Sequence, residues 1–270
     1  MRFYADIHRL ANKRRKNKTE EEYHVYTTDG VEFGKAERIA DIPAKSGDEL
    51  YVDVIPVELT DEFIGLLRRG VRVYRLRRLD LLPSHRNGSK SARNDVLAMM
   101  SMDASMFKEI TPEFLEMTRL ISLYRQISRS LVFTKQVMAN FSNKRTIHPV
   151  LLELRRQKDR VARKIVELAK MTYPEFNMLT TILGINTKNS LYGKAALAIL
   201  FTYVDFGRGL RKILCYAGIY RPNDGKYNKL LKEAAESLTI SVKRRQRIKA
   251  KEIRQILKTI RTTLMAGGQA

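Results

Sequence analysis

Two aspartates stand inside short apolar segments, where a carboxylate is unfavourable. Asp6 lies within residues 2–7, and Asp53 lies within the apolar segment 49–55. Burying a charge costs free energy unless it is paired or binds a cation, and two adjacent strands can present two such acids to one Mg²⁺ site. Metal ions held in this way can activate the attacking oxygen and stabilise the leaving oxygen in phosphodiester cleavage. The alternative is that each acid is an ordinary loop or cap residue at a strand end.

Other site chemistries have little support in the sequence. The single cysteine, Cys215, excludes an internal disulfide and a cysteine-based zinc site, and it is consistent with a reducing compartment. The four histidines show no ligand spacing: His8, His24, His85 and His148. The longest apolar run, 195–201, is too short to span a bilayer, and the N-terminus lacks the apolar region of a signal peptide. We therefore expect a cytoplasmic protein.

The charge balance indicates a polyanionic partner. The 270 residues include 51 Lys and Arg against 29 Asp and Glu, which makes the net charge +22. Such an excess is typical of proteins that neutralise phosphate backbones. The alternative, a solvated thermophile surface, predicts a matching content of Glu, which the chain lacks.

Three basic clusters are the expected phosphate contacts, although helix faces of this kind are often merely solvated. They lie at 13–18, 155–164 and 243–261, and their leading members are Lys13, Arg14, Arg15, Lys16, Arg155, Arg156, Lys243, Arg244 and Arg245.

Strand-like and helical signals alternate over the first hundred residues, which predicts an α/β layer. The expected strands are 2–7, 23–28, 31–33, 49–55 and 71–76, with a hairpin turn at Asp29-Gly30, and the expected helices are 60–69 and 89–106.

The remainder of the chain is predicted to be helical. Thr111-Pro112 is typical of a helix start, and apolar residues at three-four spacing predict two long helices that form an antiparallel hairpin or a coiled coil. Lys158 falls on the apolar stripe of the second helix. We expect three domains: an α/β domain at 1–106, a helical hairpin at 107–174 and a small all-α domain at 175–270.

The first domain resembles the RuvC-like (RNase H-like) domain of the DEDD-type insertion-sequence transposases, the group that includes the Piv and MooV recombinases. In that family the first acid lies in a G-I-D strand, and the segment YADI at 4–7 matches it at Asp6. The second acid ends a strand that is followed by a helix, a glycine and a further strand. Residues 50–76 reproduce this layout, with Asp53 in place of the family's Glu and with Glu58 as a fallback candidate.

The last two acids of the family lie in a K-T-D-x-x-D-A pattern at a helix start. The segment KSARNDV at 90–96 matches it at Asp95, but Ala92 occupies the place of the third acid. Asp103 lies two turns further along the expected helix, too far to reach the same metal without a shift, and Asp80 follows the 71–76 strand. The resemblance implies a site for Mg²⁺, or Mn²⁺, made by Asp6, Asp53 and Asp95.

The C-terminal part is similar to the family's transposase domain. The family's I-P-G-I-G hairpin is matched at 179–186, where Gly184 is kept and Asn186 replaces the second glycine. Such a turn exposes backbone N–H groups that suit a phosphate; the alternative is an ordinary helix C-cap at Gly184. Further matches occur at Phe206, at 214–219 and at Pro222.

The family's serine nucleophile has no counterpart at the matching position, where Asp224 stands. Ser237 and Ser241 lie downstream, but neither precedes a glycine. The resemblance thus implies a transposase or site-specific recombinase lineage with impaired catalysis, with DNA and a guide RNA as partners and a homo-oligomeric active form. Two alternatives remain open: a catalytically inactive nucleic-acid-binding protein on the same scaffold, and a metal nuclease that uses the three aspartates alone.

Overall fold

A computed structural model describes residues 1–8, 23–140, 147–220 and 227–267 of the chain. They form two compact units, Met1–Arg119 and Leu120–Ala270. The first unit is built on a mixed sheet and the second is helical, which confirms the prediction of an α/β fold with a helical C-terminal part. The predicted basic cluster Lys13 to Lys16, together with Pro222 and Asp224, lies outside the described residues.

A six-stranded sheet forms the centre of the first unit, in the order β3-β2-β1-β4-β5-β6. Strands β1, β4 and β5 are parallel, whereas β2 is antiparallel to β1 and to β3, and β6 is antiparallel to β5. Tyr4, Tyr51 and Tyr74 are in register across the three parallel strands, so the carboxyl ends of these strands lie side by side. The strands are β1 Arg2–Asp6, β2 His24–Thr27, β3 Gly34–Ala36, β4 Glu49–Val52, β5 Arg72–Leu76 and β6 Phe107–Ile110.

Each face of the sheet is covered by helices. These are α1 (Thr60–Arg68), α2 (Leu82–His85) and α3 (Ala92–Ser101). Because side chains alternate along a strand, Phe3, Ala5 and Ile7 enter the core that includes Phe63 and Leu66 of α1. The other face carries Tyr4, Tyr51 and Tyr74, which pack with Val96 and Met99 of α3. Alternation therefore directs Asp6 toward the face that α3 covers.

The prediction of a strand at 31–33 is wrong, and β3 begins at Gly34 instead. The Thr27 hydroxyl donates to the carbonyl of Glu32 (2.5 Å), and the Asp29 carboxylate accepts the N–H groups of Val31 and Glu32 (2.9 and 3.0 Å). These bonds close a wide turn rather than the two-residue turn that Asp29-Gly30 predicts.

The helix predicted at 89–106 is too long at both ends. It spans only Ala92–Ser101, with Ser91 as its N-cap, and Phe107–Ile110 forms strand β6 along β5. The predicted domain boundaries place residues 107–110 in the helical part of the chain, but Phe107 and Ile110 are buried while Lys108 and Glu109 are exposed. Pairing with the edge of β5 decides the conformation of this segment.

The second unit contains seven helices among its described residues, the first of which begins in the first unit. The two long helices predicted in the middle of the chain are present, and the Thr111 hydroxyl accepts the N–H of Phe114 (3.2 Å) at the start of α4, as expected. The two helices do not pack along each other as the predicted antiparallel hairpin or coiled coil requires, and α5 packs against α7 instead. The apolar run at 195–201 lies in α7, which packs against α5 and α9. The helices are α4 Pro112–Ala139, α5 His148–Thr172, α6 Phe176–Ile182, α7 Leu191–Tyr203, α8 Leu210–Tyr216, α9 Lys229–Lys243 and α10 Ala250–Gly267. Within the described part of the chain, no helix is long and apolar enough to cross a membrane.

Two glycines around α1 provide a matched test of this fold. Gly70 ends α1 at φ 84°, and a Cβ placed there would lie 2.5 Å from the Ser46 hydroxyl. We expect Gly70→Ala to lower the free energy of unfolding by about 1–2 kcal/mol, because alanine is strained at positive φ and meets Ser46. Denaturant unfolding followed by circular dichroism measures the change.

The control for this prediction is Gly65, which lies inside α1 with open space around its Cα. Gly65→Ala should leave the free energy of unfolding unchanged or raise it by about 0.5–1 kcal/mol, since alanine has the higher helix propensity. Equal effects of the two substitutions would contradict the assigned end of α1.

Candidate functional site

The structure brings two of the three predicted acids together at the carboxyl ends of neighbouring parallel strands. Asp6 is the last residue of β1, and Asp53 follows the last residue of β4. The Asp53 carboxylate accepts the N–H of Ile7, the residue after Asp6, at 3.1 Å. Asp53 is 8% exposed, whereas the Asp6 side chain is half-buried. The two carboxylates therefore share one end of the sheet.

The proximity of the two acids perturbs Asp53. The pKa of Asp53 is raised to about 7, first by burial and then by the negative charge of Asp6, against hydrogen bonds from backbone N–H groups that lower it. Such a shift means that the folded protein resists two negative charges at this position without a cation. Both side chains offer carboxylate oxygens, the donors that Mg²⁺ prefers, and Mg²⁺ commonly uses one or two carboxylates plus water and substrate oxygens. The pair fits such an ion.

Asp95, the third predicted acid, is held by an arginine. It lies in the first turn of α3, which packs against β1 and β2, and it is therefore on the face of the sheet toward which Asp6 is directed. Its carboxylate accepts a hydrogen bond from Nε of Arg86, and both side chains are largely buried. Across the described ranges, no group of three or more His, Cys, Asp or Glu side chains is arranged to hold a metal ion. A metal site formed by all three acids stays a prediction. In such a site the Asp95 carboxylate would no longer accept the hydrogen bond from Arg86.

Two histidines near Asp6 were not expected at the site. Nδ1 of His8 lies 3.7 Å from Oδ2 of Asp6, and the rings of His8 and His24 are 5.3 Å apart between centroids. His24 is fully buried, and burial lowers its pKa to about 4. Neither ring nitrogen of His24 has a hydrogen-bond partner in the described residues. The D-x-H spacing of Asp6 and His8 was the available sequence signal, but the position of His24 depends on the pairing of β2 with β1.

The fallback acids have local partners. Asp80 forms an ion pair with Arg78 at 2.6 Å, and Asp103 accepts the N–H of Ser105 at 2.8 Å. Glu58 lies in the turn that follows β4. Ala92, at the place of the family's third acid, begins α3 and is buried. These positions leave Asp6 and Asp53 as the acids that the structure places together.

Gly184 ends a helix. It follows α6 at φ 66°, its N–H donates to the carbonyl of Thr181 (3.0 Å), and the N–H of Ile185 donates to Thr180 (2.9 Å). This is the C-cap that the sequence left open as the alternative. Because the Gly184 N–H is already bonded, the expected phosphate contact at Gly184 stays a prediction without a geometric basis.

The two downstream serines occupy different surroundings in α9. Ser237 lies on the wall of a cavity, whereas the Ser241 hydroxyl donates to the carbonyl of Ser237 (3.0 Å). A Cβ added to Gly193 of α7 would lie 2.5 Å from the Ser241 side chain. Ser241 is thus packed at a close contact between α7 and α9.

Most residues of the predicted basic clusters that the structure describes are exposed, whereas Lys158 is half-buried. Arg155 and Arg156 lie on the surface of α5, and Lys243 ends α9. Arg244 adopts a left-handed conformation with φ 52°, and Arg245 pairs with Glu252. The turn between α9 and α10 therefore presents cations on an ordered backbone.

A second cationic surface combines an aromatic ring with guanidinium groups, and we call it the α8–α10 basic surface. The guanidinium carbons of Arg211 and Arg254 lie 5.7 and 5.3 Å from the centroid of the Tyr220 ring, and Tyr220 is 41% exposed. Lys251 and Lys258 are exposed at helical spacing from Arg254 on α10. Its members are Arg211, Tyr220, Lys251, Arg254 and Lys258. Exposed rings flanked by cations can stack on nucleobases while the cations contact phosphates.

Comparisons with known proteins return no identification of the chain. Neither the known protein families nor the curated proteins that were searched contain a match.

The raised pKa of Asp53 predicts a pH-dependent stability. A buried acid whose folded pKa is about 7, against 3.8 in its ordinary state, destabilises the fold as the pH rises from about 4 to 7. We expect Asp53→Asn to remove this penalty, so that the Tm of the variant exceeds that of the wild type by an amount that grows between pH 5 and pH 8. At about 1.4 kcal/mol per pKa unit, the ceiling of the effect is about 4 kcal/mol.

Thermal unfolding with and without Mg²⁺ completes this test. At pH 8, Mg²⁺ should raise the Tm of the wild type and leave that of Asp53→Asn nearly unchanged, since binding to the folded state alone is stabilising. Asp103→Asn is a control in which the pH dependence has the opposite sign, because hydrogen bonds from Ser105 lower the pKa of Asp103. The Tm of this variant should lie below that of the wild type, and the difference should shrink as the pH falls. A difference between Asp53→Asn and the wild type that is constant with pH would contradict the proposed cause.

Proposed function

We propose that this chain is a nucleic-acid-binding protein of the DEDD-type transposase and recombinase lineage, with a RuvC-like first unit and impaired catalysis. The observation that carries the proposal is the convergence of Asp6 and Asp53 at the ends of two parallel strands, with the pKa of Asp53 raised to about 7. An acid on a first strand, a second acid after its parallel neighbour and a third on a helix over the same face is the layout that the resemblance implies. Carboxylates with strongly shifted pKa values are concentrated at functional sites, which supports the proposal.

Asp6 and Asp53 are the residues that would hold Mg²⁺ or Mn²⁺. When bound, such an ion supplies positive charge to the phosphodiester oxygens that gain charge during cleavage. The backbone N–H of Ile7 orients the Asp53 carboxylate, and the burial of Asp53 favours its protonated form until a cation arrives. Nδ1 of His8 lies 3.7 Å from Oδ2 of Asp6, so His8 is a neighbour of the other carboxylate.

Impaired catalysis has two supports. Ala92 has no carboxylate for the position of the third acid, and Arg86 neutralises Asp95. The sequence also carries Asp224 where the family has its serine nucleophile. A carboxylate would repel a phosphodiester and does not form the ester that an alkoxide would form.

A catalytically inactive nucleic-acid-binding protein on the same scaffold is the second candidate function. The specific observation in its favour is the largely buried ion pair between Arg86 and Asp95. This ion pair engages a carboxylate that a working metal site would need. The two candidates share DNA and a guide RNA as proposed partners, a homo-oligomeric form and a cytoplasmic location. They differ in metal-dependent strand cleavage.

Binding at the α8–α10 basic surface should depend on salt. We expect the double variant Tyr220→Ala, Arg254→Gln to bind a DNA oligonucleotide about tenfold more weakly than the wild type, because stacking on one base contributes about 1–3 kcal/mol. The oligonucleotide is single-stranded, so that its bases are free to stack on Tyr220, and the slope of log K against log salt should also fall by about 0.7 for the lost phosphate contact. Fluorescence anisotropy over a salt series measures both quantities.

Arg68→Gln is the matched control for this measurement, since it removes one exposed charge from α1. It should change both the affinity and the slope by much less. Binding that is insensitive to salt, or the absence of binding at low salt, would remove nucleic acid as the partner.

Catalysis is tested with DNA in the presence of Mg²⁺ or Mn²⁺. We expect no covalent protein–DNA adduct, and we expect any residual metal-dependent nicking to disappear in Asp6→Asn and in Asp53→Asn. Denaturing gels that trap covalent adducts and nicking of supercoiled DNA are the two measurements. A covalent adduct that forms with the wild type and is lost in Ser237→Ala or in Ser241→Ala would instead show that the chain is a working recombinase.

A further inference from the structure

A cavity of about 450 Å³ lies within the second unit and is unrelated to the acid pair. One wall is a single stripe of α4, from Tyr124 to Gln136, and the opposite wall is the start and middle of α9. Ala196 of α7 and Ala234 of α9 are among its lining residues, and their small side chains leave the space open. Its volume falls within the range of about 300–1,000 Å³ that is usual for small-molecule sites.

The cavity is strongly cationic. Arg125, Arg129, Lys158 and Lys229 line it, and Glu233 is the acid among its lining residues. Lys158 emerges from α5 with its ammonium group 5.0 Å from the ring centroid of Tyr124 and 4.7 Å from that of Tyr192. Burial lowers the pKa of Lys158. A cation that has lost water in this way gains from an anionic ligand.

Two buried donors on the same wall lack partners. Nε of Arg125 and the hydroxyl of Ser128 are shielded from solvent and have no hydrogen-bond partner among the residues that the structure describes. An unsatisfied buried polar group costs about 1–3 kcal/mol. Both residues line the cavity, so a ligand with hydrogen-bond acceptors offers them partners that a purely apolar ligand lacks.

We propose that this cavity binds one unstacked nucleotide of a single-stranded nucleic acid, an inference that rests on the proposed nucleic-acid-binding function. The phosphate lies against Arg125 and Lys158, and the base lies on the aromatic and apolar lining that includes Tyr124 and Val132. Charge complementarity and the two unsatisfied donors select a nucleotide, because a base edge and a phosphate oxygen accept the hydrogen bonds that Ser128 and Arg125 can donate. Phe133, exposed beside the cavity, offers a ring for the neighbouring base.

The test compares a labelled single-stranded 12-mer, the matching duplex and free AMP by fluorescence anisotropy and competition. Arg125→Gln and Ser128→Ala should each weaken binding of the single strand, by about tenfold for Arg125→Gln, and should change duplex binding by less than about twofold. Ala234→Leu, which fills the cavity, should act in the same direction. Arg163→Gln, an equal loss of charge on the exposed surface of α5, should have little selective effect.

A photoreactive thymidine in the single strand supplies a second readout, with cross-links expected to Tyr124 or Phe133. Equal losses for single strand and duplex, or unchanged binding in Arg125→Gln with its fold intact by circular dichroism, would overturn the proposal. AMP that binds as tightly as the 12-mer would assign the cavity to a free nucleotide and would equally reject a nucleic-acid strand. Asp53→Asn should retain selective single-strand binding, so that this proposal stands or falls separately from the metal site.

Discussion

The burial of the Asp53 carboxylate beside Asp6 is the constraint on which the site of the first unit depends. Parallel pairing of β1 with β4 places the two carboxylates at one end of the sheet, and the Ile7 N–H fixes Asp53 there. Burial and the charge of Asp6 together make the ionised form of Asp53 unfavourable near neutral pH. The fold tolerates this arrangement because proton uptake, or a bound cation, can relieve it.

The surroundings of the acid pair are themselves polar and incompletely neutralised. Arg86 compensates Asp95 within the layer between α3 and the sheet, so one acid of the face is already satisfied without metal. His24 is buried beside His8 with a depressed pKa, and it therefore remains uncharged near neutral pH. Asp6 and Asp53 are thus the two acids that the fold brings to one end of the sheet.

The cations of the second unit lie in two different environments. On the α8–α10 basic surface the cations remain hydrated, and an exposed tyrosine lies between two guanidinium groups. In the cavity between α4 and α9, Lys158 is partly desolvated, whereas Arg129 and Lys229 are exposed, and two donors on α4 have no partner among the described residues. Hydrated cations favour any phosphate backbone at long range, whereas desolvated donors discriminate between ligands, since only a ligand with matching acceptors removes their penalty. Lys158 is the desolvated cation of the cavity, because its ammonium group lies over the rings of Tyr124 and Tyr192 rather than in water.

Local interactions explain what the sequence by itself determined. The Thr111-Pro112 helix start, the α1–Gly70–β5 unit and the long stripes of α4 and α5 were predictable because each depends on residues within a few turns of one another. The composition indicated a polyanionic partner from charge alone. Placing Asp6 and Asp53 in apolar strands was sufficient to predict that two acids would meet, provided that the strands were parallel neighbours.

Only the tertiary structure decided the rest, because it depends on partners that are distant in the chain. Segment 107–110 is a strand since the edge of β5 was available to it, although its apolar spacing also suits a helix. Asp95 was expected to bind a metal ion, but in the folded chain its carboxylate accepts a hydrogen bond from Nε of Arg86, nine residues away. The stripe position of Lys158 looked like a defect in a coiled coil, and it acquires a role only when Tyr124 and Tyr192 pack around it. Pairing between side chains across elements follows from packing geometry, which periodicity and composition do not encode.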